Sequence, residues 1–251
     1  MPVSRGELRA ALDEMLQPEA YRDYAPNGLQ VEGREIIERV VSGVTASQAL
    51  IDAAVESRAD ALLVHHGYFW RSEDPRIVGM KGRRIRTLIC ADINLFAYHL
   101  PLDCHPTLGN NAGLGRVLGV AEFALLSPGD VTVPVFAGSL SAALPQETLA
   151  IRLEQALGRR VISEGTGPVQ HLAWCTGGGQ GYIDAAADAG ADLFVTGEVS
   201  EQTIHTARER GIGFIAAGHH ATERFGVQSL GAWLGERLGL WHQFIDIDNP
   251  A

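Results

Sequence analysis

QALIDAAVESRADALLVHH, residues 48–66, returns 132 positions later as QGYIDAAADAGADLFVTGE, residues 180–198 (180 − 48 = 132). The two stretches align without a gap. Gln48 falls on Gln180, Ile51-Asp52-Ala53-Ala54 on Ile183-Asp184-Ala185-Ala186, and Ala59-Asp60 on Ala191-Asp192. Apolar positions also coincide through ALLV at 61–64 and LFVT at 193–196. Self-similarity of this kind marks one supersecondary unit used twice. In each copy an apolar run (VVSGVTA, 40–46; LAWCTGG, 172–178) reads as a strand, IDAA falls in a helix, and a short apolar strand follows. A strand, a helix and a strand in that order form a β-α-β unit, with parallel strands and helices covering the sheet.

The correspondence extends downstream. LICADINLFAYHLPLD, 88–103, ends in His99 and Asp103, and RERGIGFIAAGHHATE, 208–223, ends in His219 and Glu223. The offset is now 219 − 99 = 120, so one connection is twelve residues longer (132 − 120 = 12). In both copies a strand delivers His-x-x-x-carboxylate at its C-terminal end, where open α/β sheets collect ligands. The expected fold is α/β, with duplicated three-layer halves and mostly parallel sheets. The first half spans 1–124 with the HH and HxxxD motifs, and the second spans 125–251 with the GHxxxE motif. AEFALLSPGDVTVPVFAGSLSAALPQETLAIRLEQALGRRV, 121–161, supplies two short strands and a helix that begins near Pro145 and stops at Gly158. At the N-terminus, Ser4 and Glu7 have capping-box spacing ahead of an amphipathic helix.

With 251 residues, 46% of them hydrophobic, the chain can bury a large core. It has no run near the roughly 20 apolar residues of a membrane span. MPVSRGELRAALDEMLQP lacks a signal peptide's apolar region. The three scattered cysteines, Cys90, Cys104 and Cys175, argue for a reducing compartment rather than a disulfide framework. A cytoplasmic protein with no membrane partner is expected. The net charge of -10, with no basic run, argues against nucleic acid as a partner.

Three segments carry candidate chemistry. In LLVHHGYFW, successive strand residues point to opposite faces, so His65 and His66 reach one site only where the strand ends, and Gly67 fits that ending. Alone, the pair would read as one buried and one solvent-facing histidine. In YHLPLDCHPTLGNNAGL, His99, Asp103 and His105 lie in a loop punctuated by Pro101, Pro106 and Gly109. In AAGHHATERFG, His219 and Glu223 sit four apart on one side of a helical turn, a spacing that also suits an ordinary ion pair. Taken together, imidazole and carboxylate suit zinc, iron, manganese or nickel, and a carboxylate can bridge two ions. Cysteine is absent from the clusters, except for Cys104 beside Asp103, which argues against a thiolate-rich structural zinc. CTGGGQG, 175–181, reads as a tight turn, with an anion cradle as its alternative.

LLVHHGYFW, YHLPLDCHPTLGNN and TGE…AAGHHATERFG, with the earlier APNGLQVEG, resemble the Nif-three-like family, also catalogued as GTP cyclohydrolase I type 2-like proteins. The resemblance covers nearly the whole chain. It implies a duplicated α/β fold and toroidal homohexamers with metals facing the interior. By motif it assigns two divalent ions (zinc, iron, manganese, nickel or magnesium) to His65, His66, Asp103, His219 and Glu223, with Glu223 as the bridge. His99 and Glu198 match positions lining the site, with a proton-shuttle role open to either. His220 stands where relatives often carry an aromatic residue. Some relatives carry an extra domain between the halves, for which this chain is too short. The implied activity is metal-dependent hydrolysis of a small molecule, GTP cyclohydrolase-like on a purine nucleotide or related substrate. The alternative is a non-enzymatic metal-binding adaptor or metal-insertion chaperone. For a hexamer, Tyr68, Phe69, Trp70, Trp233 and Trp241 are candidate interface anchors, although an aromatic triplet also suits a core.

Overall fold

The computed structural model describes residues 2–127 and 133–251; the PGDVT of the expected intermediate strands lies outside the described residues. In chain order the first elements are β1 (Val3–Ser4), α1 (Arg5–Leu16), β2 (Gly28–Val31), β3 (Ile36–Ile37), β4 (Arg39–Thr45), α2 (Gln48–Glu56), β5 (Ala61–His66), α3 (Gly79–Cys90) and β6 (Asn94–Ala97). Next come α4 (Leu100–Cys104), α5 (Asn110–Leu118), β7 (Phe123–Leu125), β8 (Phe136–Pro145), α6 (Gln146–Leu157), β9 (Ile162–Glu164) and β10 (Pro168–Cys175). The last are α7 (Ile183–Asp188), β11 (Leu193–Thr196), α8 (Glu201–Arg210), β12 (Gly213–Ala216), α9 (His219–Thr222), α10 (Arg224–Leu238) and β13 (Trp241–Phe244). Among the described residues no helix is long and apolar enough to cross a membrane.

The chain forms two compact units, Met1–Leu102 with Gly226–Asp248, and Asp103–Phe225 with Asn249–Ala251. This division differs from the 1–124 and 125–251 halves read from the sequence. Two packings account for it: β13 pairs in parallel with β4, Trp241 opposite Arg39, which returns the segment 226–248 to the first unit, and α5 buries Leu114 and Leu118 in the core of the second.

The first unit is a five-stranded sheet in the order β13-β4-β5-β6-β2. β13, β4, β5 and β6 run parallel, and β2 is antiparallel at the edge. α2 and α3 bury Leu50, Ile51, Ala54, Ile85 and Leu88 against Val41, Leu62, Val64 and Leu95 on one face. The alternate residues Val40, Leu63 and Phe96 are also buried, as strand periodicity requires of a sheet covered on both sides. α1 buries Leu8, Leu12 and Leu16 and receives the Tyr98 hydroxyl on Asp13 at 2.7 Å. α10 buries Val227, Leu230 and Leu234, and its Gly231 lies against the His242 ring. Ser4 and Glu7 form the expected capping box on α1.

The second unit is a six-stranded sheet in the order β7-β8-β10-β11-β12-β9. Its centre, β10-β11-β12, is parallel, while β8, β7 and β9 add antiparallel edges. α5 and α6 pack Leu114, Leu118, Leu149, Leu153 and Leu157 against Trp174, Val195 and Ile215. α7 and α8 pack Ile183, Ala186 and Ala207 against Ala173, Phe194 and Phe214 on the opposite face. Each fully buried leucine of this kind contributes about 1.5–3 kcal/mol.

The repeat is β4-α2-β5-α3-β6 in one unit and β10-α7-β11-α8-β12 in the other. Its repeated Ala-Asp has a definite job. The Asp60 carboxylate accepts the N–H groups of Glu38 and Arg39, both at 2.8 Å. Asp192 accepts those of Gln170 and His171, 132 positions on, at 2.9 and 2.8 Å. Each aspartate thus fastens the start of one parallel strand to the turn before the next. Most of the extra length in the first copy lies between His66 and Gly79, in the loop carrying Tyr68, Phe69 and Trp70.

Candidate functional site

In the first unit β5 ends on His65 and His66, and β6 is followed, after Tyr98, by His99. These three imidazoles each offer a ring nitrogen within 4.8 Å of the others, a group able to hold a metal ion. The His65 ring centroid is 4.6 Å from that of His66 and 5.0 Å from that of His99. His65 is buried, and its Nδ1 is 2.9 Å from the Tyr98 carbonyl oxygen. A carbonyl only accepts, so Nδ1 carries the proton and Nε2 the donor lone pair. His66 Nδ1 lies 3.1 Å from the Thr45 hydroxyl.

His99 is held by a residue that the sequence did not single out. Its Nδ1 is 2.8 Å from Asp23 Oδ1, and its N–H donates to Asn27 Oδ1 at 2.7 Å. Burial pushes the Asp23 carboxyl up. The His99 hydrogen bond and charge, the Asn27 amide and the Leu100 N–H outweigh it and hold the group at about 2. Asp23 is therefore ionised and accepts the His99 Nδ1–H. Asn27 lies inside the quoted APNGLQVEG, whereas Asp23 lies outside every motif singled out in the sequence.

In the second unit β12 leads through Gly218 into α9, which begins at His219, and Glu223 caps that turn. His219 bridges two carboxylates, with Nδ1 2.7 Å from Glu198 Oε1 and Nε2 3.2 Å from Glu223 Oε2. Burial lowers the His219 pKa, but Glu223 and Glu198 outweigh it and raise it to about 9. Gln180 donates to the other Glu198 oxygen at 3.2 Å. Asp103, also buried and in this unit, accepts from Asn110 at 2.9 Å and from the Thr176 hydroxyl at 3.2 Å. Burial, reinforced by Asp103, Glu223 and Cys104, pushes the Cys175 thiol far up, so that it stays protonated. His99 and Glu198 thus each bind a specific neighbour, Asp23 and His219 respectively.

The glycine run is a turn, as read, and its N–H groups are used within the protein. Gly177 N donates to Thr222 Oγ1 at 3.0 Å and Gly179 N to Thr196 Oγ1 at 3.1 Å. Gly177 has φ 66°, and a Cβ there would strike the Glu223 carboxylate and lie 3.1 Å from His219 Nε2. The turn therefore leaves room for those two side chains. His105 acts locally, its Nδ1 accepting the N–H groups of Thr107 and Leu108 at 3.3 and 3.0 Å. The His220 N–H donates to the Ala251 oxygen at 3.3 Å. Of the aromatic residues, Tyr68 is core, its hydroxyl donating to the Ala46 carbonyl at 2.7 Å, whereas Phe69, Trp70 and Trp233 are half-buried and Trp241 is exposed.

The donor set suits a divalent metal: imidazoles and buried carboxylates, with no thiolate among them. A ligating histidine usually donates its second nitrogen to a carbonyl or carboxylate. His65, through Tyr98, and His219, through Glu198, both show that arrangement.

Three comparisons relate the chain to known proteins. The sequence profile of Duf34/NIF3 (NGG1p interacting factor 3) matches residues 3–250. The GTP cyclohydrolase 1 type 2 homolog of Pseudomonas aeruginosa is 55% identical over 252 residues, covering 100% of both chains. A structural-genomics structure, protein ybgI of unknown function, superposes with a TM-score of 0.94 at 53% identity, covering 99% of this chain and 100% of the other. TTHA1606 of Thermus thermophilus does so at 0.87 and 37%, with coverage of 99% and 100%. With its profile matched almost end to end, and relatives this similar along their full length, the chain belongs to the Duf34/NIF3 family.

Proposed function

We propose that the chain is a metal-dependent hydrolase with a dinuclear divalent-metal site, acting on a purine nucleotide or a related small molecule. The observation that carries the proposal is the preparation of its histidines. His65 Nδ1 is committed to the Tyr98 carbonyl and His219 Nδ1 to Glu198, so in the neutral ring Nε2 is the donor in each. His65, His66, Asp103, His219 and Glu223 would hold the ions. Bound there, two divalent ions would supply an activated water and polarise a substrate oxygen.

The chain's own residues would do the rest. Glu198 orients His219, and Asp23 orients His99. Asn110 and Thr176 keep the Asp103 carboxylate in place. His99, with Nδ1 held by an ionised aspartate, would have Nε2 open to proton transfer in its neutral form, in the group with His65 and His66. The relatives' name supports a purine nucleotide as substrate. A homohexamer is part of the same proposal, and light scattering is its check.

Elemental analysis of the purified protein and of Glu223→Gln tests the site. Close to two equivalents of metal are expected in the wild type, with loss of at least one in the variant. Unchanged stoichiometry removes Glu223 from the ligand set. Hydrolysis of GTP and related nucleotides by metal-loaded protein tests the activity. A blank across several metals and a broad nucleotide and phosphoester panel leaves a metal carrier in its place.

A further inference from the structure

We propose that Tyr24 and Trp70 form a stacking wall that holds a planar, nitrogen-containing ring of the nucleobase class beside His66 and His99. The inference rests on the hydrolase reading for its substrate and goes beyond it in naming the residues that would select one.

The two rings meet the imidazoles directly. The Trp70 ring is 5.0 Å from His99, edge to face at 82°, and 5.9 Å from His66. Tyr24 is 5.3 Å from His99 and 6.4 Å from Trp70, with the Tyr24 and Trp70 planes 31° apart. A core would bury such rings, yet Tyr24 is 45% exposed. A large exposed aromatic is an informative departure from the burial rule.

The wall is built rather than incidental. Phe69, just before Trp70, lies in the left-handed region at φ 66°, which is unfavourable for a bulky side chain. Glu73 offsets that cost by accepting the N–H groups of Phe69 at 2.7 Å and Trp70 at 3.2 Å. The Trp70 indole N–H is bound to the Gly67 carbonyl at 3.3 Å. The segments bearing the two rings are also stitched together: the Arg71 N–H donates to the Tyr24 carbonyl at 2.8 Å. Gln30 adds a clamp, its amide donating to Pro26 at 2.8 Å and Tyr68 at 3.1 Å. Rings fixed in advance lose little entropy on binding.

The chemistry selects a heteroaromatic occupant over a sugar. Aromatic faces stack on any base. In its neutral form His99 adds an acceptor, because its Nδ1–H is committed to Asp23, and a ring N–H of a nucleobase can donate to Nε2. Strained backbone next to a site is a feature of ligand clamps.

Calorimetric titration of the metal-loaded full chain with guanosine, and separately with ribose, is the test. Guanosine carries the ring without a phosphate, so metal–phosphate affinity does not enter. Wild type should bind guanosine and not ribose. Trp70→Leu and Tyr24→Leu should each weaken guanosine at least about fivefold, the low end of base-stacking effects, and Trp70→Phe should restore most of it. Metal content is measured for every variant, and Tyr24→Leu decides if Trp70→Leu loses metal. Equal binding by wild type and both leucine variants, at equal metal content, overturns the wall. Failure of the wild type to bind guanosine, or equal binding of ribose, does the same. Stacking without any nucleotide hydrolysis would sink the hydrolase reading and leave the wall standing.

Discussion

Replacing Gly177 with alanine probes the space beside His219 and Glu223, because its two costs can be separated. Gly177 has φ 66°, and an alanine in that region carries a penalty of about 1–2 kcal/mol. Its Cβ would also collide with Glu223 Oε1 and lie 3.1 Å from His219 Nε2. Neither neighbour can retreat easily: Glu223 is buried, and His219 is anchored to Glu198 at 2.7 Å. Gly190, in the same unit, has φ 77°, but an added methyl there would meet nothing within 4 Å. Gly190→Ala should therefore show the backbone cost alone, roughly 2–8 °C in Tm at about 2–4 °C per kcal/mol. Gly177→Ala should add about 1–3 kcal/mol of overpacking, for a total fall of roughly 4–20 °C. It should also weaken metal binding by about 10–100-fold, the range for disturbed orienting contacts, while Gly190→Ala keeps wild-type affinity. Thermal melts and metal titrations of the two variants side by side measure both effects. Equal Tm shifts, with unchanged metal affinity in Gly177→Ala, would refute the claim that the glycine keeps that space open.

The repeated aspartates give a second comparison. Asp60→Ala and Asp192→Ala each remove the acceptor for two strand N–H groups, at about 1–3 kcal/mol per group left unsatisfied in the interior. Asp60 is buried and Asp192 exposed, so water can replace the acceptor at Asp192, and Asp60→Ala should melt several degrees lower; the reverse order would undo the argument. A third prediction concerns pH. Burial lowers the pKa of His242 below its ordinary 6.5, and its Nε2 lies 2.8 Å from the Ser42 hydroxyl. The unfolded chain protonates at 6.5 while the folded chain resists, so the folded state binds fewer protons and this group's contribution to stability falls as pH drops below 6.5. The Tm of wild type relative to His242→Gln should therefore decline from about pH 7.5 to about pH 5.5; a constant difference would show that His242 is not the group responsible.

What the sequence reveals and what it conceals follow from range. The β-α-β repeat was legible because its signal is local: IDAA on one helix face, Ala-Asp at its end, apolar strands around it. Pairing of β13 with β4 was not, because nothing near Trp241 says that it will lie opposite Arg39, and the division into units moved accordingly. The antiparallel pairing of β2, β7, β8 and β9 escaped for the same reason, although two short strands were expected in the segment that holds β7 and β8. At the site, the residues at strand ends were legible, and so was Glu198, the partner of His219, but Asp23, the partner of His99, was not.

The repeat itself explains which partner was hidden. His99 and His219 are equivalent at offset 120, and each has its Nδ1 on a carboxylate, which orients the ring. In the second copy the carboxylate is Glu198, at the end of the repeated stretch and visible in the alignment. The equivalent position in the first copy, 198 − 132 = 66, is His66. That copy puts an imidazole where the other keeps its anchor, so the anchor for His99 must come from elsewhere. It comes from Asp23, 76 residues away and outside the repeat, aided by Asn27. One substitution between the copies thus adds an imidazole to the first unit and creates the need for Asp23. Removing Asp23 should disturb His99 as removing Glu198 disturbs His219.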